Sequence, residues 1–285
     1  MHTQDVSEVR QIIKELCLMN NRFMNKVFEN NIPAAELLLR IILKNDKIKV
    51  REVSVQSFIQ NLYGHSAQMD ILAQDEDGEY FNVEVQRSDE GAPAKRARFY
   101  SSLLDIKLLQ ANRPYEALPV TYVIFITEND VLRGNLPVYD IDRQIRQTGA
   151  DFGDDAHIVY VNSKIQDATP LGRLMQDFYC KDPAKMHYKE LAERSSYLKN
   201  PKEGEVDMQD IIELYAEKKA KEAAKKATEA AKEAAKEAAK EAAKEATKET
   251  EKEYVCKLLK RGISVDKIAD LLEMPKARVV ALAEK

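Results

Sequence analysis

A chain of 285 residues with 44 basic and 48 acidic side chains, net charge −4, is long enough for one sizeable core plus an appendage. That balance is not a polycation's, so any grip on nucleic acid rests on a metal-centred site and local basic patches. Cys17, Cys180 and Cys256 are far apart and lack CxxC spacing, which reads as reduced thiols and excludes a disulfide framework or a zinc site. The opening MHTQDVSEVR carries acids where a signal peptide needs an apolar run, and no apolar stretch reaches membrane-spanning length. The expectation is a soluble, cytoplasmic protein with no membrane partner.

Val6, Val9, Ile12, Ile13, Leu16, Met19, Phe23, Val27 and Phe28 recur near helical spacing, which predicts one helix over 6–30. Pro33 opens a second helix, followed by an apolar run over 36–43, and Ile48, Val50, Val53 and Val55 mark a strand over 47–55. Residues 68–74 and 80–86 then alternate polar and apolar around Asp75-Glu76-Asp77-Gly78, a hairpin pattern with glycine where a left-handed residue is needed. A three-residue loop of Glu76, Asp77 and Gly78, a type I turn closed by a glycine bulge, pairs Asp75 with Glu79. The same register sets Asp70 opposite Glu84 and Gln68 opposite Gln86, all on one face. Carboxylates directly opposite each other repel and are poor strand formers. A divalent cation between them explains the arrangement better than packing does.

Pro93 starts a helix to about residue 110, and LPVTYVIFIT over 118–127 is a nearly continuous apolar strand, expected to be buried on both faces beside a parallel neighbour. Residues 128–155 are polar and turn-rich, an excursion over the sheet, and 157–162 form another buried strand. Helices over 170–180 and 184–198 cover the sheet, and the globular domain ends near Asn200-Pro201.

Beyond it the chain becomes an Ala/Glu/Lys repeat to about residue 253. The residues are strong helix formers, and Glu233 with Lys236 and Glu237 with Lys240 make favourable pairs. A four-residue repeat turns the alanine pair about 40° per repeat around a helix, so no coiled-coil stripe survives. The segment reads as a solvated, semi-rigid spacer of about 70 Å. From Tyr254 a core pattern returns. Leu258-Leu259 closes a helix, Gly262 stops it, Ser264 caps a second and Pro275 opens a third. This tail holds seven Lys or Arg against four acids and reads either as a helix-turn-helix contacting phosphates or as a helical hairpin for self-association into a homo-oligomer. The expected division is 1–200, 201–253 and 254–285.

Asp70 followed by Glu84-Val85-Gln86 on the next strand resembles the metal-binding motif of the PD-(D/E)XK nuclease superfamily. The Glu-x-Gln ending, with glutamine where most relatives have lysine, is similar to the branch called recombination-promoting nucleases or PD-(D/E)XK nuclease family transposases. Phe23-Met24-Asn25-Lys26-Val27-Phe28 upstream and Lys95-Arg96-Ala97-Arg98-Phe99-Tyr100-Ser101-Ser102 downstream add to the resemblance, which covers roughly residues 20–200 and, more weakly, the tail.

The resemblance implies an α/β, restriction-endonuclease-like αβββαβ core with a mixed central sheet, and periodicity alone gives the same element order. It implies an Mg²⁺-dependent endodeoxyribonuclease that promotes DNA recombination or mobility. Asp70 and Glu84 are then the metal ligands, completed by the Val85 carbonyl, with Mn²⁺ or Ca²⁺ as other ions for the site. Gln86 takes the lysine position, where its amide can bond water or phosphate but brings no charge. Arg96 and Tyr100, one helical turn apart, would reach the phosphate or brace the carboxylates. Alternatively, Arg96 is a surface arginine paired with Asp89 or Glu90. Glu36 is either the further acid that many relatives place on their first helix or a solvated glutamate. His2, His65, His157 and His187 show no ligand spacing, and His157 reads as structural. The competing reading is a catalytically silent nuclease fold that binds DNA or a protein partner.

Overall fold

The computed structural model describes residues 10–59, 65–87, 92–200 and 208–283. Val6, Val9, His2, the acids Asp89 and Glu90 and the 201–207 boundary lie outside the described residues. The expected single helix over 6–30 is two pieces. Residues 10–15 are helical, and α1 (Asn21–Phe28) starts afresh after a turn closed by the Asn20 N–H on the Cys17 carbonyl. Asn20 makes the break: its side-chain oxygen accepts from the Phe23 N–H at 3.1 Å, a cap that favours a new helix start. Apolar spacing runs on across the turn, so periodicity does not reveal it. Helix α2 (Ile32–Leu43) is capped in the same way by Asn31 and ends at Lys44 in the left-handed region, φ 51.

Six strands follow: β1 (Val50–Ile59), β2 (Ala67–Asp75), β3 (Tyr80–Gln86), β4 (Thr121–Thr127), β5 (Val138–Ile141) and β6 (Ala156–Asn162). They form one mixed sheet in the order β1-β2-β3-β4-β6-β5. The first three are antiparallel, β3, β4 and β6 run parallel, and β5 closes the edge antiparallel to β6. Strand β4 is flanked by parallel neighbours on both sides, as its unbroken apolar run required. Strand β5 has no counterpart in the sequence pattern, because it has only four residues, none of them buried.

Helix α3 (Ala94–Leu108) covers one face, where Ala97, Tyr100, Leu103 and Leu104 pack with Leu72, Val123, Phe125 and Tyr160. Helices α1, α2, α4 (Pro170–Tyr179) and α5 (Lys189–Lys199) share a core with the other face, against Ile71, Val83, Val85, Ile124 and Val159. The helix expected over 184–198 is a 3-10 turn, Pro183–Lys185, followed by α5. The buried Asp177 carboxylate accounts for the gap, since it accepts the His187 and Tyr188 N–H groups at 2.8 and 2.9 Å and so holds that backbone out of a helix.

The chain divides into two compact units, Met1–Glu213 and Leu214–Lys285. Most of α6 (Met208–Lys260), whose 53 residues rise about 80 Å, belongs to the second, and residues 216–250 are exposed all round. There α7 (Val265–Leu271) and α8 (Lys276–Ala283) enclose a small core of Val255, Ile268, Val279 and Leu282. Gly262, φ +80, ends α6 as its sequence position suggested. Ser264 holds the N-cap position of α7 without a side-chain capping bond. Among the described residues no helix is long and apolar enough to cross a membrane.

Candidate active site

The hairpin joining β2 and β3 has the register its turn residues call for. The Asp75 N–H meets the Glu79 carbonyl at 3.2 Å, Gly78 lies at φ +88, and the ladder runs from Gln74↔Tyr80 to Ile71↔Val83. One further step brings Asp70 to Glu84, and there the regular ladder stops. The acids take its place: the Asp70 N–H donates to Glu84 Oε1 at 3.1 Å, and the Val85 N–H donates to Asp70 Oδ2 at 3.2 Å. Each carboxylate thus holds the backbone of the opposite strand.

Strand β1 contributes to this opening. Gln56, which the register sets opposite Asp70, lies at φ 53, outside strand geometry, and the pairing passes from Val55↔Ile71 to Ser57↔Met69 around it. Ser54 Oγ and Ser57 Oγ meet at 2.7 Å across the irregularity. The Asp70 N–H, which a regular strand pair would commit to β1, is thereby available to Glu84. On the far side, the Tyr80 N–H donates to the Val120 carbonyl and the Gln86 carbonyl accepts from Glu128. Even-numbered residues of β3 therefore spend their backbone groups on β4, and the Val85 carbonyl is directed to the β2 side.

Glu84 is 1% exposed and Asp70 is half-buried. Burial first, then the facing Asp70 charge, pushes the Glu84 carboxyl up from 4.5 to about 8. Burial likewise lifts Asp70 from 3.8 to about 6, against the downward pull of the Val85 N–H and Arg96. The nearest countercharge is partial: Arg96 Nη2 lies 3.7 Å from Glu84 Oε2 and is held by a 2.9 Å bond to the Tyr100 hydroxyl. The guanidinium also sits over the Tyr100 ring, 5.1 Å from its centre, and near Phe125. Arg96, Tyr100, Asp70 and Glu84 thus come together. Gln86 ends β3 half-buried, two residues beyond Glu84 on the same face.

Glu36 is not brought to this cluster. Its carboxylate accepts the Val50 N–H at 3.0 Å and pairs with Arg40 at 2.7 Å, tying α2 to the start of β1. His157 stacks on Tyr122 and bonds Asp142 at 2.6 Å, a structural placement. Two residues near the acids escaped the sequence reading. Asn21, at the start of α1, points Nδ2 at Asp70 Oδ2 from 3.4 Å; its one signal was its place two residues before Phe23. Asn82, two before Glu84, helps pull the Glu84 carboxyl down, and nothing but strand alternation marked it.

The donor set is all oxygen: after the backbone bonds, Asp70 Oδ1 and Glu84 Oε2 remain, and the Val85 carbonyl faces the β2 side. Hard oxygen donors on two facing carboxyls fit a divalent cation of the Mg²⁺ type. Among the described residues no group of three or more His, Cys, Asp or Glu could hold a metal ion. Residues 23–260 match the family model of PD-(D/E)XK nuclease family transposases, and the chain belongs to that family. No match was found among curated proteins or among solved structures.

Proposed function

We propose that this protein is a metal-dependent DNA endonuclease that hydrolyses phosphodiester bonds, in the service of recombination or DNA mobility. The observation that carries the reading is the facing pair of Asp70 and Glu84, each bonded to the opposite strand and each lifted in pKa by burial. Asp70, Glu84 and the Val85 carbonyl would hold the ion, Mg²⁺ by preference, with Mn²⁺ or Ca²⁺ as substitutes. A bound Mg²⁺ would lower the pKa of a water, polarise the phosphate and stabilise the departing oxygen.

The chain's own groups do the rest. The Asp70 and Glu84 carboxyls, raised by burial, would both be held in their ionised form by a bound cation's charge. Arg96, steadied by Tyr100, presents a guanidinium at the mouth of the pair, where a phosphate oxygen can accept from it. Gln86 can accept a hydrogen bond from the attacking water through Oε1, or donate Nε2–H to the phosphate, without titrating. The second unit, where Lys260, Arg261 and Lys267 are exposed, would add phosphate contacts of its own. The neutral amide of Gln86 favours one second reading, a nuclease fold that binds DNA without cutting it.

Supercoiled plasmid incubated with the chain and Mg²⁺, Mn²⁺ or Ca²⁺ decides between them. Nicking that needs the metal and disappears in Asp70→Ala is the expected result. Binding without nicking under every metal would favour the silent fold.

A further inference from the structure

Asn82 stands in β3 with Leu72 beside it on β2 and Val123 beside it on β4, both buried and apolar. It is 0% exposed, and neither Oδ1 nor Nδ2 completes a hydrogen bond among the described residues. A buried amide that leaves donor and acceptor unpaired is costly, and a leucine would fill the same volume without that cost. Strand alternation sets Asn82 on the same face as Glu84, one pleat away. The unpaired amide therefore lies on the Glu84 side of the sheet without completing a bond there. Glu84 meanwhile has Oε1 anchored by the Asp70 N–H and Oε2 turned to Arg96 at 3.7 Å.

We propose that Asn82 is a positioning residue of the cation site: when a divalent ion binds, its Nδ2–H donates to the Glu84 carboxylate and fixes which oxygen the ion receives. The inference rests on Asp70 and Glu84 being the cation ligands. A carboxylate ligand that must choose between an arginine and an ion gains from a neutral donor that holds it without competing charge. Partners of this kind typically set metal affinity within about 10- to 100-fold. The same bond would satisfy the amide, which is why a polar residue is tolerated between Leu72 and Val123.

The test follows Mg²⁺ binding to the full chain by calorimetry and by thermal shift, with no DNA present. Asn82→Leu should leave the metal-free chain as stable as wild type or more so, while Mg²⁺ affinity falls about 10- to 100-fold. Asn82→Ser, which keeps a donor, should recover part of that affinity. Wild-type affinity in Asn82→Leu overturns the inference while leaving the cation site standing. Metal-free stability reduced equally in both variants, with affinity unchanged, makes Asn82 a packing element and overturns it too. If wild type shows no Mg²⁺ response, or one that Glu84→Gln leaves intact, the cation site falls and this inference with it.

Discussion

Replacing Glu84 by glutamine should make the metal-free protein more stable and the nuclease inactive, and the size of the first effect follows from the site. The Glu84 carboxyl titrates near 8 in the folded chain and near 4.5 when unfolded. A folded pKa above the unfolded one means that the native state holds its proton more tightly. The contribution to stability is therefore full below about pH 4.5 and is lost as pH rises through about 8. Between pH 4.5 and pH 7 the loss amounts to about 3 kcal/mol, at about 1.4 kcal/mol per pH unit. Asp70, lifted to about 6, adds to it in the same direction. Glutamine has no proton to lose and keeps an oxygen for the Asp70 N–H, at some cost toward Arg96. A gain of about 1–3 kcal/mol at pH 7 is expected, or about 2–4 °C in Tm per kcal/mol. Thermal unfolding in EDTA at pH 5 and pH 8 measures it: the variant's advantage should be small at the first and largest at the second. Mg²⁺ should stabilise wild type and leave the variant unmoved. A Glu84→Gln protein less stable than wild type at pH 8, by the same margin as at pH 5, would refute the buried-charge argument.

Asp70→Ala should abolish nicking while chemical denaturation remains cooperative, because the side chain serves the site more than the core; full cleavage would remove it from the ligand set. Arg96→Ala takes away the cation that pulls both carboxyls down, so its nicking rate should fall by about 10²–10³-fold and its pH profile move upward, whereas a uniform rate loss at every pH would point to packing alone. Glu36→Gln should cost about 1 kcal/mol through its bonds to Val50 and Arg40 and leave nicking untouched, a reduced Mg²⁺ affinity being the contrary result. Deleting residues 214–285 should preserve metal-dependent nicking but flatten the salt dependence of DNA binding, by about 0.9 in log–log slope for each phosphate the tail no longer neutralises; an unchanged slope would count against a DNA-gripping tail.

What sequence reasoning captured here was whatever local chemistry dictates. Gly78 in a three-residue loop fixes the β2–β3 register whatever surrounds it, so Asp70 and Glu84 fall opposite each other by counting. The apolar run of β4 declares a central strand because both its faces are covered. Features decided by partners far along the chain stayed hidden. Nothing in the residue type of Gln56 announces a left-handed conformation, which depends on pairing against Asp70. Glu36 has the composition of a catalytic acid and the position of a strand clamp, and only the approach of Val50 and Arg40 separates the two. Asn20 caps a new helix inside a pattern whose apolar spacing runs straight through.

Three local costs coincide within two residues of the acid pair along the ladder. Gln56 holds a backbone conformation that non-glycine residues avoid, Asn82 buries an unpaired amide, and two carboxyls are kept where neither ionises at its ordinary pH. Each alone is the sort of local conflict a stable sheet avoids. Together they have one remedy that packing does not offer. A divalent ion between Asp70 and Glu84 would return both pKa values toward ordinary, give Asn82 an ionised partner, and use the opening that Gln56 leaves in the ladder. The clustering therefore argues that the conflict belongs to the function of the site, and it ties the fate of all four residues to the same Mg²⁺ titration.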